Sequence, residues 1–442
     1  MSDMDNRQSG NGKPQRVFSN YYSRERGVAT YRKRRRVNFI TRVAVGVVLV
    51  LIVGGAAILF GRQFVYMLTS SAGSATNAET KAESHATAQI TTVQPAEVSF
   101  AIAGDIVANS GVVDSGRRTD GNAYNFVHLF SNIKDAVTTH DLCMVFQETG
   151  MYGDEYGFGG TSQLNAPQDL GRAEVAAGFN VALHATDHAL DMGPDGLHNE
   201  LAWWHNEQPD VAVLGVAEPD PVENPGFSNY VDDVYVYERG DFKVAVLNHT
   251  QGINESDEAI VSPLTEAKVR EDVDKAKELG AQMIVACPHW GEENSSQVSD
   301  EQREFAKLYA SFGVDVVVGS GPRVLQEVEV LDGEQGHKTL CYYSLGCLVS
   351  SLNANNLLGG IAEFKLERSD QGEFTVADAV LKPVVTHRAS GEDFAAYLLS
   401  EYTPELAQKS WDNLTPDYLG EQCEEVLGTG YDADAGEYKI SI

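Results

Sequence analysis

Acids and imidazoles recur at one kind of place in this sequence, directly after short apolar runs. Asp105 ends SFAIAGD, Glu148 follows CMVF in CMVFQET, and Asp187, His188 and Asp191 lie in HATDHALDMG. Further along, His249 follows VAVLN, and His289, Glu292 and Glu293 fall in CPHWGEEN. A single loop histidine is more often structural than functional. Several carboxylates and imidazoles at a common edge are a different matter. They make a donor set for a divalent cation, which polarises an oxygen or activates water. The plainer readings are loop capping for Asp187 and Asp191, packing for Trp290, and a solvated face for Glu292 and Glu293.

The elements that must position these residues alternate. Strand-like runs occur at Val98–Ala103, Leu142–Phe146, Val181–His184, Val211–Leu214, Val244–Leu247, Met283–Cys287 and Val314–Val318. Helical spacing lies between several of them. Phe126, Phe130, Ile133 and Val137 share one face. Pro263 opens a stretch through Val269, Val273 and Ala276 that stops at Gly280. Ser299 and Gln302 form a capping box ahead of Phe305, Leu308 and Phe312, closed by Gly313. Such alternation predicts an α/β domain with a largely parallel core, and ligands in such sheets bind beyond the carboxyl ends of the strands. Residues 391–442 read as an acidic, helical appendage.

Charge and hydropathy divide the chain. Its net charge is −31, yet residues 1–42 carry eleven Lys/Arg against three Asp/Glu. The excess acid therefore lies entirely in the remainder, which excludes nucleic-acid binding through a general basic surface. Val43–Gly61 is an unbroken apolar run of 19 residues, with Arg32 to Arg36 and Arg42 ahead of it. That length matches a ~30 Å hydrocarbon core. The positive flank predicts a cytoplasmic N-terminus and an extracytoplasmic main domain. The expected order is a basic cytoplasmic tail at 1–42, a transmembrane helix at 43–61, a flexible linker at 62–96, an α/β domain at 97–390 and the appendage at 391–442. The five cysteines form no CxxC pair and no zinc-type spacing, and four of them lie in apolar runs that suit buried thiols.

The order GD, a Glu after a strand, DHALDMG, HWG followed by Glu, and YSLG resembles the bacterial CapA-type capsule-synthesis family, which includes proteins of poly-γ-glutamate synthesis. The resemblance spans about residues 97–385 and implies the fold of calcineurin-like metallophosphoesterases, a sandwich of two sheets flanked by helices. Position by position it implies Asp105, Glu148, Asp187, His188 and His289 as metal ligands for Mn, Fe or Zn. His188, His289 and Asp191 are the implied catalytic groups, and Gln147 lies near an Asn of the family pattern. The sequence also departs from that pattern. A GxHPH block is replaced by GSGPR, which puts Gly321 and Arg323 in the histidine places, and YSLGNF has become YSLGCL. Arg323, with Glu293 and Gln147, then forms an expected ligand-binding set, because a guanidinium binds carboxylate or phosphate with two parallel hydrogen bonds. The resulting expectation is a membrane-tethered accessory factor for surface-polymer assembly. Its partners would be the membrane, an anionic polymer or its precursor, and other capsule-synthesis membrane proteins. The alternatives are a metal-dependent hydrolase of phosphoester or amide bonds and a catalytically inert polymer-binding scaffold.

Overall fold

The computed structural model describes residues 96–442, apart from 119–122, 161, 220–233, 255–256, 258 and 429. The expected basic tail, transmembrane helix and linker up to residue 95 lie outside the described residues. Among those described, no helix is long and apolar enough to cross a membrane.

The first half of the domain lays down parallel strands β1 (Ala96–Val107), β2 (Leu142–Phe146), β3 (Val181–Leu183) and β4 (Ala212–Leu214). Phe100 pairs with Leu142, Met144 with Val181 and Val181 with Ala212. The crossovers include helices α1 (Asp169–Ala177) and α2 (Gly193–Glu207). A second sheet follows from β5 (Val234–Arg239), β6 (Phe242–Thr250), β7 (Met283–His289), β8 (Val316–Val318), β9 (Val328–Asp332) and β10 (Lys338–Tyr342). Its order is β5-β6-β7-β8-β10-β9, parallel from β6 through β10 and antiparallel at both edges. Helices α3 (Glu266–Glu278) and α4 (Asp300–Ser311) connect its parallel strands.

The chain then returns to the first sheet. Strand β11 (Cys347–Ser350) runs parallel to the end of β1, and β12 (Leu358–Arg368) runs antiparallel to the rest of it. Outside these come β13 (Phe374–His387), β14 (Ala395–Leu398), β15 (Tyr431–Asp432) and β16 (Glu437–Lys439).

Strand alternation builds the layers. Side chains point to opposite faces at successive positions. Accordingly Phe100, Ile102, Leu142 and Met144 join Phe242, Val244, Val285 and Val316 in a core between the sheets. Ala101, Ala103, Cys143 and Val145 face the other way, toward Phe126, Leu170, Leu197 and Trp204. A third cluster packs β6, β7 and β8 against α3 and α4. The result is a mixed α/β fold in which two sheets share a core and helices cover their outer faces.

Three local expectations change. Helix α3 is capped by Thr265, whose side chain accepts from Lys268 N, so Pro263 precedes the helix instead of opening it. Helix α4 has the expected Ser299–Gln302 capping box, but it buries Gln302, Ala306, Tyr309 and Ala310, with Phe305, Leu308 and Phe312 at the margin. Residues 391–442 do include α5 (Pro416–Leu427), yet they also supply β14, β15 and β16 to the first sheet. Leu419, Cys423 and Leu427 enter the core between the sheets, so this segment completes the domain.

Candidate metal and anion site

Strand β1 delivers Asp105 through a slip in register between Ala103 and Asp105. There Asp105 N donates to Gly346 O at 2.9 Å. A Cβ on Gly104 would lie 2.0 Å from that same oxygen, so only glycine permits the approach. The Asp105 carboxylate accepts from Ser320 Oγ and from Gly321 N at 3.4 Å. Gly321 has φ 113°, and a Cβ there would stand 2.5 Å from Trp290 O. This position has no room for the histidine of the family pattern.

Glu148 follows β2 and is fully buried. Arg323 Nε donates to its Oε1 at 2.8 Å, and Nη2 donates to the same oxygen. Arg323 Nη2 also donates to His188 Nε2 at 2.9 Å, and Nη1 meets Glu293 Oε1 at 3.0 Å. Arg323 holds φ 61°, left-handed for a residue other than glycine, a conformation that persists only where surrounding structure imposes it.

His188 Nδ1 lies 2.7 Å from Asp191 Oδ2, which also accepts from Leu164 N at 2.6 Å. Asp191 therefore orients His188, and Tyr152 Oη fixes the His188 carbonyl at 2.6 Å. Two demands on this imidazole conflict: against burial, Asp191 and Glu148 favour its charged form, while the Arg323 donor requires a bare Nε2.

His289, at the end of β7, stands 3.8 Å from Asp187 Oδ1 and 3.5 Å from Thr250 Oγ1 through its Nδ1. Its Nε2 and Glu148 Oε2 are buried without a hydrogen-bond partner among the described residues. Asp105, Glu148 and His289 bring ligand atoms within 4.8 Å of one another, and so do Glu148, Asp187 and His188. Burial, and then the Glu148 charge, push the Asp105 carboxyl up to about 7. Burial opposes charge on Glu148 as well, but His289 and Arg323 outweigh it and hold that carboxyl at about 2. Burial likewise disfavours a charged His289, and Glu148 with Asp187 overcomes it, lifting the imidazole to about 9.

The first cluster suits one divalent cation, because Glu148 Oε2 and His289 Nε2 are buried with no partner beyond their attraction for each other. The second cluster is different. Its Glu148 oxygen and His188 Nε2 both already hold the Arg323 guanidinium, a fixed cation where a second metal would otherwise sit.

Several expected residues fall elsewhere. Gln147 shares a strand end with Glu148 but bonds the Thr149 carbonyl and lies against buried Glu174, away from the Arg323 fork. His249 is a core residue, 2.8 Å from Tyr309 Oη and 2.9 Å from Asp272 Oδ2. Trp290 is buried and donates to Tyr343 O at 2.8 Å, a packing role. Two sets of residues escaped the sequence reading. Ser320 lies inside GSGPR, and its hydroxyl was the available signal. His184 gave no signal beyond its type. Its Nδ1 lies 2.8 Å from Gln147 O and its Nε2 3.0 Å from Glu200 Oε2, and although burial opposes charge on the ring, the Glu200 carboxylate raises its pKa. This contact fixes the backbone immediately before Glu148.

The chain is 26% identical over 219 residues to the PGA biosynthesis protein CapA of Bacillus subtilis (strain 168), covering 48% of this chain and 52% of that one. It is 29% identical over 194 residues to the capsule biosynthesis protein CapA of Bacillus anthracis, covering 42% and 44%. The chain thus spans about half the length of the curated relatives it matches. Among solved structures, the calcineurin-like phosphoesterase YfkN from Bacillus subtilis aligns with 66% of this chain and 91% of its own, at TM-score 0.37 and 14% identity. Residues 99–351, which contain Asp105, Glu148, His188, His289 and Arg323, match the family model for bacterial capsule synthesis proteins, PGA_cap. The chain belongs to that bacterial capsule synthesis family.

Proposed function

We propose that this chain is a membrane-anchored, extracytoplasmic accessory factor of capsule or related surface-polymer assembly. In this reading it grips a carboxylate-bearing polymer, of the poly-γ-glutamate kind, at Arg323. One observation carries it. Glu293 is half exposed, and its carboxylate meets Arg323 Nη1 at 3.0 Å, while Nε and Nη2 are committed to buried Glu148. A side-chain carboxylate already occupies the one solvent-side branch of the fork, and a glutamate polymer offers the same group. Glu293 then acts as a placeholder that swings away when ligand arrives.

Asp105, Glu148 and His289 would hold one divalent cation beside this fork, with Mn, Fe and Zn all compatible with their oxygen and nitrogen donors. When bound, it would supply positive charge that draws and polarises an anionic group. Gly321 N and Ser320 Oγ hold Asp105 in place. His184 secures the backbone before Glu148, and Asp191 fixes the ring of His188. Hydrolysis is the second reading, and the His188–Asp191 pair favours it. It requires Arg323 to release His188 Nε2 before that nitrogen can exchange a proton with substrate.

Calorimetric titration of the full chain in nanodiscs with a γ-linked glutamate polymer tests the first reading. Glu293→Gln should tighten binding by removing the competing carboxylate, and Arg323→Ala should abolish it. Polymer affinity indifferent to both substitutions would reject Arg323 as the grip.

A further inference from the structure

Asp187 is the member of the second cluster that Arg323 leaves unused. Its carboxylate comes within 4.8 Å of ligand atoms on Glu148 and His188, the two residues that receive Arg323 Nη2. Its ion contact with His289 Nδ1 is 3.8 Å long, beyond hydrogen-bond length, and 37% of the Asp187 side chain is open to solvent.

A buried amide places this carboxylate. Ala185 N donates to Asn248 Oδ1 at 2.8 Å, and Asn248 Nδ2 donates to Cys287 O at 2.7 Å. Asn248 thus ties the loop that carries Asp187 to the strand that carries His289. An acceptor for positive charge and a donor for negative charge are thereby held in one site.

The rim has the wrong sign for the middle of an anionic chain. Asp187, Glu292 and Glu293 are all exposed there. Interior repeats of a γ-linked glutamate polymer bring only carboxylates and neutral amides. The amino end differs, because one carbon carries both an ammonium and a carboxylate. A chain-terminal amine has an ordinary pKa of about 8, so it is charged at about pH 6.5.

We infer that Asp187 and Arg323 together read the amino end of such a polymer, with Asp187 taking the ammonium and Arg323 the carboxylate on the same carbon. The inference rests on the Arg323 reading above and names the part of the polymer that the site takes. Interior repeats offer Asp187 no cation and meet its charge as repulsion, which adds discrimination against them.

The test uses the full chain in nanodiscs, titrated at about pH 6.5 with a γ-linked glutamate polymer and with the same polymer acetylated at its amino end. Wild type should bind the acetylated polymer about tenfold more weakly, as expected for a lost hydrogen bond to a charged group. Asp187→Asn keeps the shape without the charge and should bind both polymers alike. Asp187→Glu restores the charge and should recover the preference for the free amino end, which a merely structural role for Asp187 does not predict. Equal binding of the two polymers by wild type would overturn the role of Asp187 while leaving Arg323 intact, as would a preference that survives Asp187→Asn. A wild-type chain that binds neither polymer would overturn the Arg323 reading and this inference with it.

Discussion

Arg323 approaches Glu148 with two of its nitrogens on one carboxylate oxygen, the Nε bond measuring 2.8 Å, and both residues are buried. The partners are 175 residues apart in sequence. Their meeting puts a permanent cation between the segment after β2 that carries Glu148 and the loop that supplies His188. The same contact that would complete the proposed anion grip also occupies the second cluster of cation ligands.

Removing the guanidinium takes one of two cationic partners from the buried Glu148 charge and leaves it only His289. Arg323→Ala should therefore destabilise the metal-free domain by about 3–5 kcal/mol, the usual cost of orphaning one member of a buried ion pair. Addition of Mn²⁺ or Zn²⁺ should restore much of the lost Tm in this variant, since a second cation can then fill the place. Thermal melts with and without metal distinguish this from simple loss of packing, which metal would not repair.

Glu174 gives a pH signature independent of the metal ligands. Its carboxyl is pushed up to about 8 by burial and then by the Glu200 charge. The stability contributed by its neutral form is complete below the unfolded value, 4.5, and is lost as pH climbs through about 8. Glu174→Gln keeps the neutral shape and cannot ionise. Its Tm should match wild type below about pH 4.5, exceed it by a margin that grows as pH rises toward about 8, and keep a constant lead above that. Parallel curves across that range would show that Glu174 is already ionised at neutral pH.

His184 should act on the site from behind. Its donation to Gln147 O at 2.8 Å fixes the peptide preceding Glu148. His184→Gln should loosen metal retention by about 10–100-fold, as loss of outer-shell support does. The anion grip depends on Arg323 and should change less. Equal losses of metal and polymer binding would point to general unfolding of the strand ends.

The orientation of the chain is open to a direct check. The basic flank before Val43 predicts that everything after Arg62 lies outside the cytoplasm. Protease added to intact, wall-stripped cells should digest the domain and spare the N-terminal tail. A protected domain would reverse the topology, and a secreted form beginning near residue 76 would remove the anchor.

The parallel strands of both sheets were legible because buried parallel strands read as continuous apolar runs, from Val98 through Val318. Strands β9 to β16 were not: β9 and β13 to β16 mix polar and apolar residues along half-exposed antiparallel runs, and the buried β10, β11 and β12 lack the helix-separated alternation that marked the earlier strands. The polar strand ends could be placed at one edge from sequence, but His249 looked the same as His289 there. Only the distant Asp272 and Tyr309, which bond both of its nitrogens, make it a core residue. Gln147 could have been separated from Glu148 by strand alternation alone, because neighbours in an extended chain point to opposite faces. The block GSGPR showed that histidines were replaced, but not that Gly321 crosses the Trp290 backbone. A restored histidine at 321 would collide there, so the ancestral-looking pattern cannot be recovered by substitution at that position alone.

Cation stoichiometry decides whether Arg323 stands in for a second metal. The full chain, purified in detergent, loaded with Mn²⁺ or Zn²⁺ and freed of excess, should retain one equivalent by elemental analysis. Asp105→Asn and His289→Ala should each reduce that to background, and Arg323→Ala should raise it toward two. Two equivalents in the wild-type chain would contradict the account, as would one equivalent that survives loss of both Asp105 and His289.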